Sequence, residues 1–177
     1  MRYFVLQQDE RITDRPYTQD FFSQIDVRKI SSNKGGFIPV RTLIRLTPSE
    51  FMVFPDVLCT PTLLITREIK DTIKAYDAYV EYRQIVYLDT ENEQVQLYFM
   101  PLLDAIDCLS ENSQYANKYH GEISQVVLKR APIRDKCLFE VKNSIQRIFI
   151  IRLDLAESLL ARNCKGFTLA EAVIEEE

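Results

Sequence analysis

The sequence has few of the residues from which metal sites and most hydrolytic active sites are built. It contains one histidine, His120, and its four cysteines occupy the widely separated positions 59, 108, 137 and 164. Zinc sites usually take their ligands in pairs a few residues apart, so this spacing does not predict a metal centre. The spacing GxxxxGK[ST] of a phosphate-binding loop is absent as well. We therefore expect neither a metal nor a cofactor.

Long apolar runs are also missing, which bears on where the protein works. No run approaches the roughly 18 apolar residues of a membrane span. The opening stretch MRYFVLQQDE has only four consecutive apolar residues, whereas a secretory signal needs about 7–15. We expect a cytoplasmic protein that does not cross a membrane and whose cysteines are buried thiols rather than disulfides.

The length and charge of the chain limit its organisation and its partners. A chain of 177 residues falls within the roughly 100–200 residues of one domain, so we expect a single domain over residues 1–177. The formal net charge is −4, whereas a domain that binds nucleic acid normally presents a basic face. Nucleic acid is therefore not an expected partner.

The residue pattern predicts strands in both halves of the chain. A hairpin is predicted where the turn TENE separates YVEYRQIVYLD from QVQLYFMPL. VRTLIRL alternates well enough for a strand with one face in solvent. Further strands are predicted for RYFVL, TLLIT, ISQVVLK, CLFEV and RIFIIRL. FTLAEAV fits a last strand or a frayed helix equally well.

Two main helices are predicted, one in the middle of the chain and one near its end. Thr66 can cap REIKDTIKAY, in which Ile69, Ile73 and Tyr76 share one face. The second helix, DLAESLLAR, ends shortly before Gly166. Because helices and strands are unevenly interleaved, we expect an α+β fold in which two main helices pack against a mostly antiparallel sheet.

A third, brief helix is predicted before the first of these. The segment TPSE, residues 47–50, has the spacing of a capping box with proline at the first helical position. Pro55 would end this helix within two turns.

Candidate catalytic groups are sparse. His120 lies in the polar segment ANKYHGE, where it could act as a base but more simply is a solvated loop residue. Asp104 and Asp107 in PLLDAIDCLSE resemble the paired carboxylates of catalytic or metal-binding sites, but no further acid cluster completes a cation site. Caps or turns beside a buried strand explain both aspartates. The sequence therefore predicts no enzyme.

Charge is distributed unevenly along the chain. Between Arg83 and Lys118 there is no basic residue, and this interval displays acids that we interpret as part of a partner-binding face: Glu91, Glu93, Asp104, Asp107 and Glu111. Residues 129–152 are instead rich in lysine and arginine. Such blocks either form interaction surfaces or neutralise each other within the fold.

Three segments together resemble an immunity-protein family of bacterial polymorphic toxin systems, long known only as a domain of unknown function. They are FPDVLCTPTLLITREIKDTIKAY, LYFMPLLDAIDCLSENS and RIFIIRLDLAESLLARNCKGFTL. The turn at residues 56–58, the strand at 62–65 and the helix at 67–76 match the first pattern of that family. Residues 98–102 match its Y-hydrophobic-P-hydrophobic strand, and residues 152–159 match its R-L-x-L-A-E-S-L unit. The resemblance covers about residues 50–170 and leaves residues 1–40 unassigned.

The resemblance implies a non-enzymatic protein that binds and neutralises a cognate toxin by masking it. An acidic patch on this protein would then face a basic surface of the toxin. Two other functions stay open on the sequence. One is a small cytoplasmic hydrolase that uses His120 with a nearby serine or cysteine, and the other is a ligand-binding regulatory domain.

Overall fold

Strands form most of the regular structure in the computed structural model, which describes residues 1–116 and 123–175. In chain order the strands are β1 (Tyr3–Gln8), β2 (Arg41–Arg45), β3 (Val57–Leu58), β4 (Leu64–Ile65), β5 (Glu81–Asp89), β6 (Gln94–Leu102), β7 (Ala105–Ile106), β8 (Gln114–Tyr115), β9 (Ile123–Gln125), β10 (Val127–Lys129), β11 (Leu138–Val141), β12 (Phe149–Arg152) and β13 (Phe167–Glu175). The helices are α1 (Phe21–Gln24), α2 (Arg67–Tyr76) and α3 (Leu153–Ala161). The α+β class expected from the sequence is confirmed.

The first sheet has five strands in the order β2-β5-β6-β4-β3. Its centre is the long β5–β6 hairpin that the sequence predicts, with residues 90–93 as the turn. The strand predicted from VRTLIRL is β2, which pairs parallel to β5 and forms one edge of the sheet. Strand β5 therefore lies between β2 and β6 and pairs with both.

The second sheet has six strands in the order β10-β13-β1-β12-β11-β7. The first strand of the chain, β1, lies inside this sheet and pairs antiparallel with both β12 and β13. The segment FTLAEAV, which the sequence leaves undecided, is the strand β13. Strands β8 and β9 form a separate two-stranded ribbon.

The expectation of a mostly antiparallel sheet with two main helices is confirmed in part. Most strand pairs are antiparallel, and α2 and α3 are the two longer helices. However, the strands form two larger sheets, and both are mixed. Parallel pairs occur at β2–β5, β10–β13 and β11–β7.

The largest hydrophobic cluster lies where α2 and α3 meet both sheets. Ile69 and Ile73 of α2 share this cluster with Phe99 of β6, Ile151 of β12 and Leu155 of α3. The three segments that carry the family resemblance all contribute to it. Their apolar patterns therefore serve one common core, as packing signals rather than catalytic ones.

The N-terminal residues, which the resemblance leaves unassigned, have a structural role. Beyond β1, the segment from residue 21 to residue 38 covers the face of the five-stranded sheet that carries Ile85 and Tyr98. Phe21, Ile25 and Ile30 are buried there against Ile85 and Tyr98. This segment thus supplies the apolar layer that the face would otherwise lack.

The brief helix predicted to begin at Thr47 and to end before Pro55 does not form, and the capping-box prediction is wrong. Its backbone donors bond elsewhere instead of along a helix. The N–H of Thr47 donates to Tyr17 O at 2.8 Å, and the N–H of Ser49 donates to Asp89 Oδ2 at 3.0 Å. These contacts hold the segment extended against the hairpin, so tertiary hydrogen bonds override the local signal.

The residue predicted to cap α2 occupies the N-cap position without acting as a cap. The hydroxyl of Thr66 is buried and makes no hydrogen bond among the described residues. The four cysteines, predicted as buried thiols, are free; Cys108 and Cys137 are buried, whereas Cys59 and Cys164 are partly exposed. Within residues 1–116 and 123–175, no helix is long and apolar enough to cross a membrane.

Candidate partner-binding surface

Two of the five predicted partner-binding acids lie together at the tip of the β5–β6 hairpin. Glu91 and Glu93 are both exposed in the turn. The buried carboxylate of Asp89 organises this turn: it accepts hydrogen bonds from the N–H of Glu91 at 3.0 Å, the side-chain amide of Asn92 at 2.8 Å and the N–H of Ser49. These bonds, with the Asn92 amide first, hold the pKa of Asp89 below its usual value. The tip is thereby fixed in place with two carboxylates pointing to solvent.

Asp104, the third acid, is bound within the fold. Its carboxylate accepts hydrogen bonds from the Lys136 ammonium and the Ser32 hydroxyl, both at 2.6 Å. The Lys136 ammonium contributes most to holding the pKa of Asp104 below its usual range. Lys136 belongs to the basic block of residues 129–152. For Asp104, therefore, the second alternative given above applies: acidic and basic blocks neutralise each other within the fold.

The five acids do not form one surface. Asp107 and Glu111 are exposed beyond β7, at the edge of the six-stranded sheet. Strand β6 separates Glu93 from Asp104, and its nine residues extend over roughly 27 Å at about 3.4 Å per residue. Glu91 and Glu93 are therefore the two that can act together, while the partner-binding role of all five stays a prediction.

The alternative function as a hydrolase would need His120 together with a nearby serine or cysteine. His120 lies outside the described residues. Burial raises the pKa of the Cys59 thiol to about 12 and those of Cys108 and Cys164 to about 11, and it raises that of Cys137 as well. A thiol with a raised pKa stays protonated at neutral pH and is a poor nucleophile. None of the four cysteines therefore has the environment of an activated nucleophile.

A cleft of about 620 Å³ separates residues 27–34 from the six-stranded sheet. Arg147 lies at its base, where the guanidinium donates to Val27 O and Ile30 O at 3.3 Å and pairs with Glu140 at 2.5 Å. Arg147 thus holds the two walls of the cleft together. In the part of the chain that the structure describes, no group of three or more His, Cys, Asp or Glu residues could hold a metal ion.

One face of the five-stranded sheet carries apolar side chains that reach solvent, and we call it the open sheet face. It is defined by Leu43, Val86, Leu88, Val95 and Leu97, which the strand register places side by side. Leu43 is 50% exposed and Val95 is 62% exposed, and the other three are half-buried. At its far end this face borders the acidic hairpin tip.

A groove of about 340 Å³, the α2 groove, lies at the opposite end of the open sheet face. Lys70 and Lys74, one helical turn apart on α2, form one side, and Phe99 and Gln84 belong to its floor. The Lys70 ammonium lies 4.2 Å from the centroid of the Phe99 ring. On the β2 side, Arg41 donates to the side chain of Gln84 at 2.7 Å. The groove is therefore basic, whereas the hairpin tip is acidic.

Sequence reasoning missed this surface because alternation in VRTLIRL is ambiguous. The pattern shows that β2 has a wet face without showing that Leu43 lies on it. In the structure Thr42 and Ile44 are buried, and Leu43 stands exposed between Arg41 and Arg45. A signal was present, since a leucine flanked by arginines two residues away on each side shares their face of a strand.

No protein-family model matches this chain, and no curated protein matches it.

Proposed function

We propose that this protein is a non-enzymatic immunity-type protein that binds a cognate bacterial toxin and neutralises it by masking. The observation that carries the proposal is the open sheet face. Its apolar centre and charged rim have the layout of a protein–protein interface, in which a hydrophobic core is bordered by polar residues. The resemblance of residues 50–170 to an immunity family names the kind of partner.

The acidic hairpin tip has a place in this proposal. Glu91 and Glu93 border the open sheet face next to Val95, so they belong to its rim. Carboxylates at a rim attract a basic region of the toxin and speed its association more than they tighten the complex. Because toxins of this kind act inside the cell, the protein would work in the cytoplasm.

A growth assay tests the proposal. A toxin-like reading frame is sought beside this gene, and its product is expressed in a bacterial host with and without this chain. We expect its product to stop growth, the chain to restore growth, and the two proteins to co-elute as a complex. A neighbouring product that is toxic but neither bound nor neutralised would contradict the proposal.

Variants connect the assay to the surface. Leu43→Asp with Val95→Asp should abolish protection, because it places two charges in the centre of the open sheet face. The matched control is Ile145→Asp with Leu160→Asp, which alters two exposed apolar residues elsewhere and should leave protection intact. His120→Ala should also protect, and loss of protection in that variant would favour the hydrolase.

A further inference from the structure

We infer that the α2 groove binds an acidic side chain of the partner and so fixes the partner's orientation on the open sheet face. This inference rests on the proposed function, because it names the chemistry of the surface that the masked protein must offer. The occupant is an extended protein segment with an acidic residue and an apolar residue two positions apart, so that both lie on one face.

The charge of the groove favours a carboxylate. Among the charged residues that line it, Glu81 pairs with Arg83 at 3.5 Å, which leaves Lys70 and Lys74 in excess. Lys70 has Asp71 as its ion-pair partner at 3.6 Å, but Asp71 is 60% exposed. No ion pair is made by Lys74 among the described residues. The exposed Lys74 ammonium is therefore available to an acidic group, and the Lys70 ammonium lies one helical turn away.

Desolvation strengthens this preference. The Lys70 side chain is only 13% exposed, and its ammonium lies over the Phe99 ring rather than in bulk water. Lys74 lies 5.9 Å from the centroid of the Tyr82 ring. Lys74 is exposed, so the gain applies to Lys70: a charge held against apolar surface interacts more strongly with an incoming carboxylate than a hydrated charge does, because the local dielectric is lower.

The spacing of acidic and apolar residues in the occupant follows from β2. This strand is the edge of the sheet and places Arg41, Leu43 and Arg45 on the exposed side. Arg45 is paired with Asp20 at 3.1 Å, whereas Arg41 makes its side-chain contact with the neutral Gln84. The outer edge of β2 is already bonded at Arg45, whose O accepts from the N–H of Gln19 and whose N–H donates to Asp20 Oδ1, so a partner strand can lie only beside Arg41 and Leu43. Because residues two positions apart share a face of a strand, that partner strand needs an acidic residue and an apolar residue two positions apart.

The groove and the hairpin tip together give the surface a direction. The basic groove lies at the start of β5, near Gln84, and the acidic tip lies beyond its end at Glu91 and Glu93. A partner with an acid at one end and basic groups at the other fits in one orientation, and the reversed orientation places like charges together.

The test uses a fluorescein-labelled extended peptide in which glutamate and valine lie two positions apart, with threonine between them. Binding to the full chain is followed by fluorescence anisotropy at low and at high salt. A glutamine analogue and a lysine analogue of the peptide are the charge controls. We expect the glutamate peptide to bind, with an affinity that falls as salt rises, and the two analogues to bind about tenfold or more weakly.

Charge-reversal variants locate the binding. Lys74→Glu with Arg41→Glu should weaken the glutamate peptide about tenfold or more. Lys129→Glu with Arg134→Glu makes the same change of charge at exposed residues of the other sheet region and should change affinity less than about twofold. Equal losses in both double variants, no difference between the peptides, or no binding at all would overturn the inference.

The same experiment separates this inference from the proposed function. If the chain neutralises its toxin but does not bind the glutamate peptide, the groove assignment is wrong and the function stands. In a second case, the parent chain binds the peptide, the Lys74→Glu with Arg41→Glu variant does not, and no toxin is neutralised. The proposed function is then wrong, and the assignment of the α2 groove as a carboxylate site is correct. Concentration-dependent dimerisation that Leu43→Asp abolishes would show that a second copy covers the face, and would also overturn the inference.

Discussion

The carboxylate of Asp56 accepts a hydrogen bond from the backbone N–H of Lys165 at 2.8 Å, across 109 residues of sequence. The backbone reinforces this link, since the N–H of Val57 donates to Lys165 O at 3.0 Å. Gly166 follows with a φ of 106°, and a Cβ at this position would collide with the carbonyl oxygen of Val57. The turn before β3 and the segment after α3 are therefore joined so closely that only glycine fits between them.

Removing the Asp56 carboxylate should weaken this junction. We expect Asp56→Ala to lower the free energy of unfolding by about 1–1.5 kcal/mol, because the Lys165 N–H loses its acceptor at an exposed site where water can partly replace it. Urea unfolding followed by circular dichroism measures the change. Asp135→Ala, at an exposed aspartate, is the control and should stay within about 0.5 kcal/mol of the parent. Equal stability of the two variants would show that the Asp56 contact contributes nothing.

The packed face of α2 gives a second prediction. Ile69 is 1% exposed in the cluster between the sheets, so Ile69→Asp buries a charge without a partner. We expect a loss of about 3 kcal/mol or more and a clearly lower melting temperature. Ala75→Asp, on the exposed side of the same helix, should melt close to the parent. An unchanged melting temperature for Ile69→Asp would contradict the assigned face of α2.

The acidic hairpin tip gives a kinetic prediction. Glu91→Lys with Glu93→Lys should slow association with the cognate toxin and flatten its dependence on salt, while stability stays within about 0.5 kcal/mol. The carboxylate that shapes the turn, Asp89, is untouched, so the loop keeps its geometry. Stopped-flow association rates against ionic strength measure the effect.

The matched control for the hairpin tip is Asp107→Lys with Glu111→Lys. These two acids are also exposed and belong to the same base-free interval, but they lie at the other sheet. Equal slowing by both double variants would indicate long-range net charge rather than a local role of the tip. Unchanged rates at low salt for the tip variant would remove Glu91 and Glu93 from the binding surface.

The sequence by itself determined the elements whose signal is local. The hairpin of β5 and β6 formed as predicted because a polar turn separates two runs of strand-forming residues. Helix α2 formed because Ile69 and Ile73 recur at helical spacing, and Asp104 lies beside a strand end as its position suggested.

Only the tertiary structure decided features that depend on residues far apart in the chain. The segment at 47–50 carries a capping box, yet its N–H groups bond to Tyr17 and Asp89, so no helix forms. Gly166 was expected only to follow a helix, whereas Asn163, with a φ of 56°, is the left-handed residue just after α3 and Gly166 makes room for Val57.

The candidate surface also has one part that the sequence predicted and another that only the tertiary structure decided. The sequence identified Glu91 and Glu93, because a hairpin tip places side chains in solvent wherever the hairpin lies. It could not show that Asp104 pairs with Lys136, nor that Leu43 and Lys74 lie on the same side of one sheet. Strand order and register decide such neighbours, and they are set by how the whole core packs rather than by any local run of residues.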